Sequence, residues 1–166
     1  MKTKLLLCAM AIFSFAIATY AQQADSRLWG TWEMQSAKQT TFQNGENKGT
    51  TNLQKADLMK ENVSIPQDLF LLLYFFDNSV GACVVGKESS QHMCINEKGT
   101  FSTSGNNLTI TLNKYQEFSK KYELVTYNLV YALSGSELTV NYRLPNLADA
   151  GVNYQYEIIF KQTSKE

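Results

Sequence analysis

Three side chains with metal-binding chemistry occur close together in the sequence: Cys83, His92 and Cys94. His92 is the only histidine in the chain. A metal site needs several ligands within reach of one ion, and these three would supply the minimum. A disulfide between the two cysteines would consume both thiols, however. We therefore expect no metal site and interpret His92 as an ordinary strand histidine.

Groups that could support catalysis are also sparse. A serine or cysteine nucleophile needs a positioned base, and the chain offers one imidazole and no Gly-x-Ser-x-Gly motif. Paired carboxylates could act as general acid and base, and four lie on different predicted strands: Glu33, Asp77, Glu123 and Glu157. Most of these occupy the polar phase of their strands, beside Gln and Thr, which indicates a solvated face. We expect no enzymatic activity and no cofactor.

Aromatic side chains are the most informative chemical feature of the sequence. Tyrosine joins an apolar ring to a polar tip, so tyrosines on the apolar face of a strand either fill an interior or line a ligand cavity. Methionine adds an adaptable apolar contact. The candidate ligand-binding residues in this phase are Met34, Phe101, Tyr127, Tyr131, Tyr142, Tyr154 and Tyr156.

Strands must position these side chains, because most of the chain alternates between polar and apolar residues. Such patterns cover residues 28–40, 108–113, 123–133, 138–143 and 154–160. Residues 80–85 and 91–95 are also predicted strands, and 69–76 is apolar on both faces, which predicts a strand covered on both sides. Residues 99–103 either extend the preceding strand or start a new one. The polar segment 42–51 predicts a turn at Asn44-Gly45, and residues 53–62 have the spacing of a short helix.

About eight strands joined by short turns predict an all-β sandwich or barrel. Closing the sheet into a barrel removes its exposed edges. A barrel of about eight strands encloses a space that side chains fill, or that holds one small ligand. Both alternatives remain open from the residue pattern.

The beginning of the chain predicts a signal peptide, residues 1–21. Lys2 and Lys4 precede an apolar run from Leu5 to Ala18, and the sequence turns polar at Gln22. Cleavage after Ala18 or Ala21 would fit, and we favour Ala21. The remaining residues 22–166 then form one domain that is periplasmic or secreted. No later apolar run is long enough to span a bilayer.

Export would place Cys83 and Cys94 in an oxidising compartment, where we expect them to form a disulfide. The alternative is two buried, unpaired thiols. The whole chain has 15 basic and 15 acidic residues, and loss of Lys2 and Lys4 leaves a net charge of about −2. That balance argues against nucleic-acid binding and membrane-surface binding. We expect a monomer, and the sequence does not identify a protein partner.

The segment Leu28-Trp29-Gly30-Thr31-Trp32-Glu33 carries a Gly-x-Trp motif at the start of the first strand. It resembles the opening of lipocalin-like proteins exported by Bacteroidetes bacteria. The segments GTFSTSGNNLTI (99–110) and YALSGSELTV (131–140) are similar to the same group.

The resemblance implies an eight-stranded antiparallel up-and-down lipocalin-like β-barrel with one short helix between the first two strands. It also implies that Gly30 and Trp32 lie at the closed base, with a basic residue of a late strand over the indole. Arg143 is the candidate, with Lys161 next. The implied function is binding of a small apolar or amphipathic ligand inside the barrel. The alternative is a filled barrel that contacts a protein or glycan through residues 42–51 and 145–151.

Overall fold

The computed structural model describes residues 24–58, 68–88, 91–116, 120–145 and 149–165, with the backbone alone for 57, 85–88, 91–94 and 116. The predicted signal peptide lies outside the described residues. A 3-10 turn, Ser26–Leu28, is followed by strands and one helical turn, α1 (Lys55–Leu58). The described strands are β1 Gly30–Gln43, β2 Glu46–Gln54, β3 Phe70–Phe76, β4 Ser79–Glu88, β5 Gln91–Ser104, β6 Asn107–Gln116, β7 Lys121–Ser134, β8 Glu137–Pro145 and β9 Val152–Ser164.

The strands form one antiparallel sheet that closes on itself. From β3 to β9 each strand pairs with the next in the chain, and β1 pairs with β3 on one edge and β9 on the other. β2 pairs with β1 from Ser36 onward, on the same edge as β3, which pairs with Gly30–Glu33. The predicted all-β, eight-stranded antiparallel barrel is confirmed, and β2 is an additional strand beside β1.

Two elements near the start of the chain differ from the prediction. Residues 42–51 are not a loop: the turn at Asn44-Gly45 joins β1 to β2 in a hairpin. β2 is exposed except at Leu53, so it lacks the alternation that marks a strand with one buried face. The helix predicted over 53–62 is described as the single turn α1, which follows the second strand, and its remainder lies outside the described residues.

The uncertainty over residues 99–103 is resolved in favour of one long strand. β5 pairs with β4 without a register shift from Gln91 to Thr100. A side chain at Gly99 would place its Cβ 1.8 Å from the carbonyl oxygen of Thr111 on β6. The glycine therefore allows β5 and β6 to approach each other, and it does not interrupt the strand.

The inward phase of the strands forms one hydrophobic core, and residues before β1 close one end of it. We call this end the base. Leu28 is fully buried, and the indole Nε1 of Trp32 donates to its carbonyl oxygen at 2.6 Å. The backbone N–H of Asp25 donates to Thr103 Oγ1 at 2.9 Å, and the Tyr131 hydroxyl donates to Asp25 Oδ2 at 2.8 Å.

The opposite end, which we call the far end, holds the β1–β2 turn, the last residues of β4, β6 and β8, and the first residues of β5, β7 and β9. Within the described part of the chain, no helix combines the length and apolar character that crossing a bilayer requires.

Candidate functional site

Three charged side chains meet inside the far half of the barrel: Asp68, Glu97 and Lys114, here called the charged cluster. Glu97 lies in the inward phase of β5 with Phe101, and Lys114 lies in that of β6 with Leu112, so strand alternation turns both inward. Lys114 forms an ion pair with Asp68, which immediately precedes β3. Lys114 Nζ also lies 3.9 Å from Glu97 Oε1.

Glu97 is the most buried member of the charged cluster, with only 7% of its surface exposed. Among the described residues, its Oε2 atom is buried and has no hydrogen-bond partner. Burial raises the pKa of Glu97 to about 7, the nearby ammonium of Lys114 opposes that rise, and the charge of Asp68 adds to it. At neutral pH this acid is therefore close to its titration midpoint.

Four buried aromatic rings pack next to the charged cluster: Phe70, Tyr127, Tyr142 and Tyr156, here called the aromatic wall. Phe70 meets the edges of Tyr127 and Tyr142 at centroid distances of 5.1 and 5.7 Å. Tyr142 stacks on Tyr156 at 5.0 Å. These separations are in the range of favourable ring contacts, so the rings hold one another in place.

The aromatic wall is linked to the charged cluster by hydrogen bonds. Lys114 Nζ donates to the Tyr127 hydroxyl at 3.1 Å, and the Tyr142 hydroxyl donates to the backbone oxygen of Asp68 at 2.9 Å. Burial is the main cause that raises the pKa of Tyr127, Tyr142 and Tyr156. All three hydroxyls therefore keep their protons at neutral pH.

The structure brings together four of the seven predicted ligand-binding residues. Tyr127, Tyr142 and Tyr156 belong to the aromatic wall, and half-buried Tyr154 lies 6.4 Å from Tyr156. The other three lie elsewhere in the core. Phe101 packs on Phe75 with a centroid distance of 4.7 Å, Tyr131 bonds to Asp25 at the base, and fully buried Met34 opposes Phe160.

Gly30 and Trp32 lie at the base, but Arg143 does not cover the indole. Arg143 is exposed, its guanidinium carbon lies 5.0 Å from the centroid of the Phe42 ring, and its Nη2 donates to Gln155 Oε1 at 3.2 Å. Phe42 lies ten residues beyond Trp32 on β1, which is about 30 Å along a strand. Lys161 is also exposed.

The two cysteines occupy diagonal positions on one face of β4 and β5, since Cys83 opposes Asn96 and Cys94 opposes Val85. Cys83 is 5% exposed. The side chains of His92 and Cys94 lie outside the described residues, so the disulfide stays a prediction. Across the side chains that are described, no group of three His, Cys, Asp or Glu residues is placed to hold a metal ion.

The charged cluster and Phe70 were not predicted from the sequence. One signal was present: Glu97 and Lys114 each fall in the phase of a strand whose other members are apolar. A charged residue in that phase is placed inside the barrel by the same alternation that buries its neighbours. Asp68 gave no such signal, because it precedes β3 and reaches Lys114 only through the closure of the sheet.

Comparison with known proteins found no match to this chain. No protein-family model matches the chain, and neither a curated protein nor a solved structure matches it. Function is therefore inferred from the geometry of the charged cluster and the aromatic wall.

Proposed function

We propose that this protein is an exported, lipocalin-like barrel that binds a small apolar or amphipathic ligand in its interior. The observation that carries the proposal is the buried Oε2 atom of Glu97, which has no hydrogen-bond partner among the described residues. A buried polar atom without a partner costs about 1–3 kcal/mol. Such atoms are rare in native proteins, and a ligand group would supply the missing bond.

The surroundings of this atom match what a small-molecule site needs. Ligand sites are mostly apolar and aromatic, with a few polar groups that fix orientation. The aromatic wall supplies the apolar surface, and the charged cluster supplies the polar groups. Because the base is closed by the 3-10 turn and Trp32, the ligand would enter from the far end.

Native mass spectrometry of protein purified from its own host tests this function. We expect the wild type to retain a small molecule and Tyr156→Ala, in the aromatic wall, to retain less of it. Tyr122→Ala is the matched control, because Tyr122 is 68% exposed on the outer face of β7. Absence of any retained molecule, or equal loss in both variants, would contradict the proposal.

The alternative function, contact with a protein or glycan through the far end, is favoured by one observation. The backbone N–H of Asn44 donates to the oxygen of Gly151 at 2.8 Å, so the β1–β2 turn within segment 42–51 contacts the last residue of segment 145–151. Replacing both with short Gly/Ser turns should abolish binding to a protein or glycan array while leaving the thermal unfolding transition in place. Unchanged binding would exclude this alternative.

The same proposal includes a monomeric, periplasmic or secreted protein without enzymatic activity. It also includes a disulfide between Cys83 and Cys94. The diagonal positions of these residues on neighbouring strands support the bond, since side chains at such positions are within reach of each other.

A further inference from the structure

The charged cluster contains more negative than positive charge. Two carboxylates, Asp68 and Glu97, face one ammonium, Lys114, in the described interior. Lys114 pairs directly with Asp68, whereas its distance to Glu97 is 3.9 Å, at the limit of an ion pair. Once Glu97 is ionised, the cluster is short of one positive charge.

Lys114 is poorly suited to receive a negative ligand. An ammonium has three N–H donors. Lys114 donates to Asp68 and to the Tyr127 hydroxyl, and its Nζ lies 3.9 Å from Glu97 Oε1. A ligand carboxylate at this position would add a third negative charge beside buried Glu97 and half-buried Asp68. Burying like charges together is costly, so an anion is disfavoured.

Glu97, in contrast, is suited to receive a positively charged ligand. Its Oε2 atom has no partner within the described part of the chain, and its side chain is only 6% exposed. A carboxylate oxygen accepts hydrogen bonds, and a charged donor gives the stronger bond. The aromatic wall adds ring faces, which attract cations through their negative centres. Lys114 already lies 5.8 Å from the centroid of the Tyr127 ring, so the wall tolerates a cation nearby.

We propose that the ligand is an amphipathic amine whose ammonium group pairs with Glu97 Oε2 while its apolar part packs on the aromatic wall. This inference rests on the proposed binding function and assigns its ligand class. A primary or secondary ammonium fits, because it keeps at least one N–H to donate to Glu97.

The test compares three probes with one apolar tail: hexylamine, hexan-1-ol and hexanoate. Isothermal titration calorimetry at pH 8 should show hexylamine binding about 10–100-fold more tightly than hexan-1-ol, the range of a charge-assisted hydrogen bond. Hexanoate should bind most weakly. Glu97→Gln should lower the affinity for hexylamine to that for hexan-1-ol. Glu157→Gln, on the exposed face of β9, should leave the order unchanged.

The pH dependence gives a second readout. The groups that face Glu97 are Asp68 and Lys114, with Tyr127 next to them and Glu123 opposite Lys114 across β6 and β7. Hexylamine stays protonated throughout this range. Its affinity should therefore rise about tenfold from pH 6 to pH 8 as Glu97 ionises, and Glu97→Gln should remove that rise.

The outcomes separate this inference from the function on which it rests. If hexan-1-ol or hexanoate binds as tightly as hexylamine, the amine assignment is wrong and interior binding still stands. If none of the three binds to a folded wild type, both proposals are wrong. Equal loss of hexylamine binding in Glu97→Gln and Glu157→Gln would also overturn the amine assignment.

Discussion

Glu97 shows how a single acid in an apolar interior links stability to pH. Burial disfavours its charged form and raises its pKa to about 7, against 4.5 for an ordinary glutamate. Between these values the folded protein binds more protons than the unfolded chain, so stability falls as pH rises. The penalty is complete above pH 7, where the acid is ionised in both states.

Glu97→Gln should therefore stabilise the ligand-free protein at pH 8 by about 1–3 kcal/mol, because the neutral amide avoids burial of a charge that Lys114, 3.9 Å away, offsets only in part. At pH 5 the gain should be small. Urea unfolding at both pH values measures this, with Glu157→Gln as the exposed control. Identical pH profiles for the wild type and Glu97→Gln would contradict the expected burial penalty.

Gly30 is a position where the backbone itself excludes a side chain. Its φ is +117°, and an added Cβ would lie 2.2 Å from the carbonyl oxygen of Ser164. Gly30→Ala should destabilise by about 1–3 kcal/mol or more, since both strain and the contact with β9 oppose the methyl group.

The matched control for this substitution is Gly81→Ala. Its added Cβ would meet only the side chain of Tyr74, at an ordinary 3.8 Å. Thermal unfolding should separate the two variants clearly. Equal melting temperatures would show that the backbone at the start of β1 shifts to accommodate the methyl group. The close approach of Ser164 argues against such a shift.

The 3-10 turn is the element that closes the base. Its preceding residue, Asp25, accepts from the Arg27 side chain and from the Tyr131 hydroxyl. The hydrogen bond from Arg27 is the main cause that lowers the pKa of Asp25 to about 2. The ionised Asp25 carboxylate therefore stabilises the folded protein fully above about pH 3.8, and this contribution is lost as the pH falls towards 2.

Asp25→Asn should loosen the base at neutral pH and remove this acid-dependent step. Acrylamide quenching of tryptophan fluorescence between pH 5 and pH 2 measures it, because Trp29 and Trp32 both lie next to the turn. Asp77→Asn, in the exposed β3–β4 turn, is the control. If quenching in Asp25→Asn still increases between pH 5 and pH 2 as in the wild type, another group causes the change.

The elements that could be predicted from sequence are those with one buried face. Leu108, Ile110 and Leu112 alternate with polar residues, and β6 lies where that pattern predicts it. β2 was missed because it lies beside the closed ring and has almost no buried face. The charged cluster was missed for another reason: its members lie on β5, on β6 and in the connection before β3, and no local pattern shows that these three parts of the chain meet.

The family resemblance predicted that Arg143 lies over the Trp32 indole, and this prediction is wrong. The residue does lie on a late strand, as expected. Its position along β8 places it beside Phe42 at the far end. At the base, the Trp32 indole instead donates a hydrogen bond to the backbone oxygen of Leu28. Register decides such contacts, and register follows from how every strand pairs, so a short motif does not determine it.

For the whole molecule, the Cys83–Cys94 bond would add a covalent link between two strands of the ring. A bridge closing so short a loop stabilises by roughly 2–3 kcal/mol. Cys83→Ser/Cys94→Ser should lower the free energy of unfolding by that amount, and urea unfolding measures it. Thiol titration of the unreduced, denatured wild type should find neither Cys83 nor Cys94 reactive. Reaction at both residues would exclude the bond.

The pairing of β1 with β9 joins residues that are far apart in the sequence: Thr31 lies opposite Ser164, 133 positions later. Bringing two such distant segments together costs chain entropy before their hydrogen bonds form. Non-local pairing of this kind slows folding, so we expect closure of the ring to be a late and slow step.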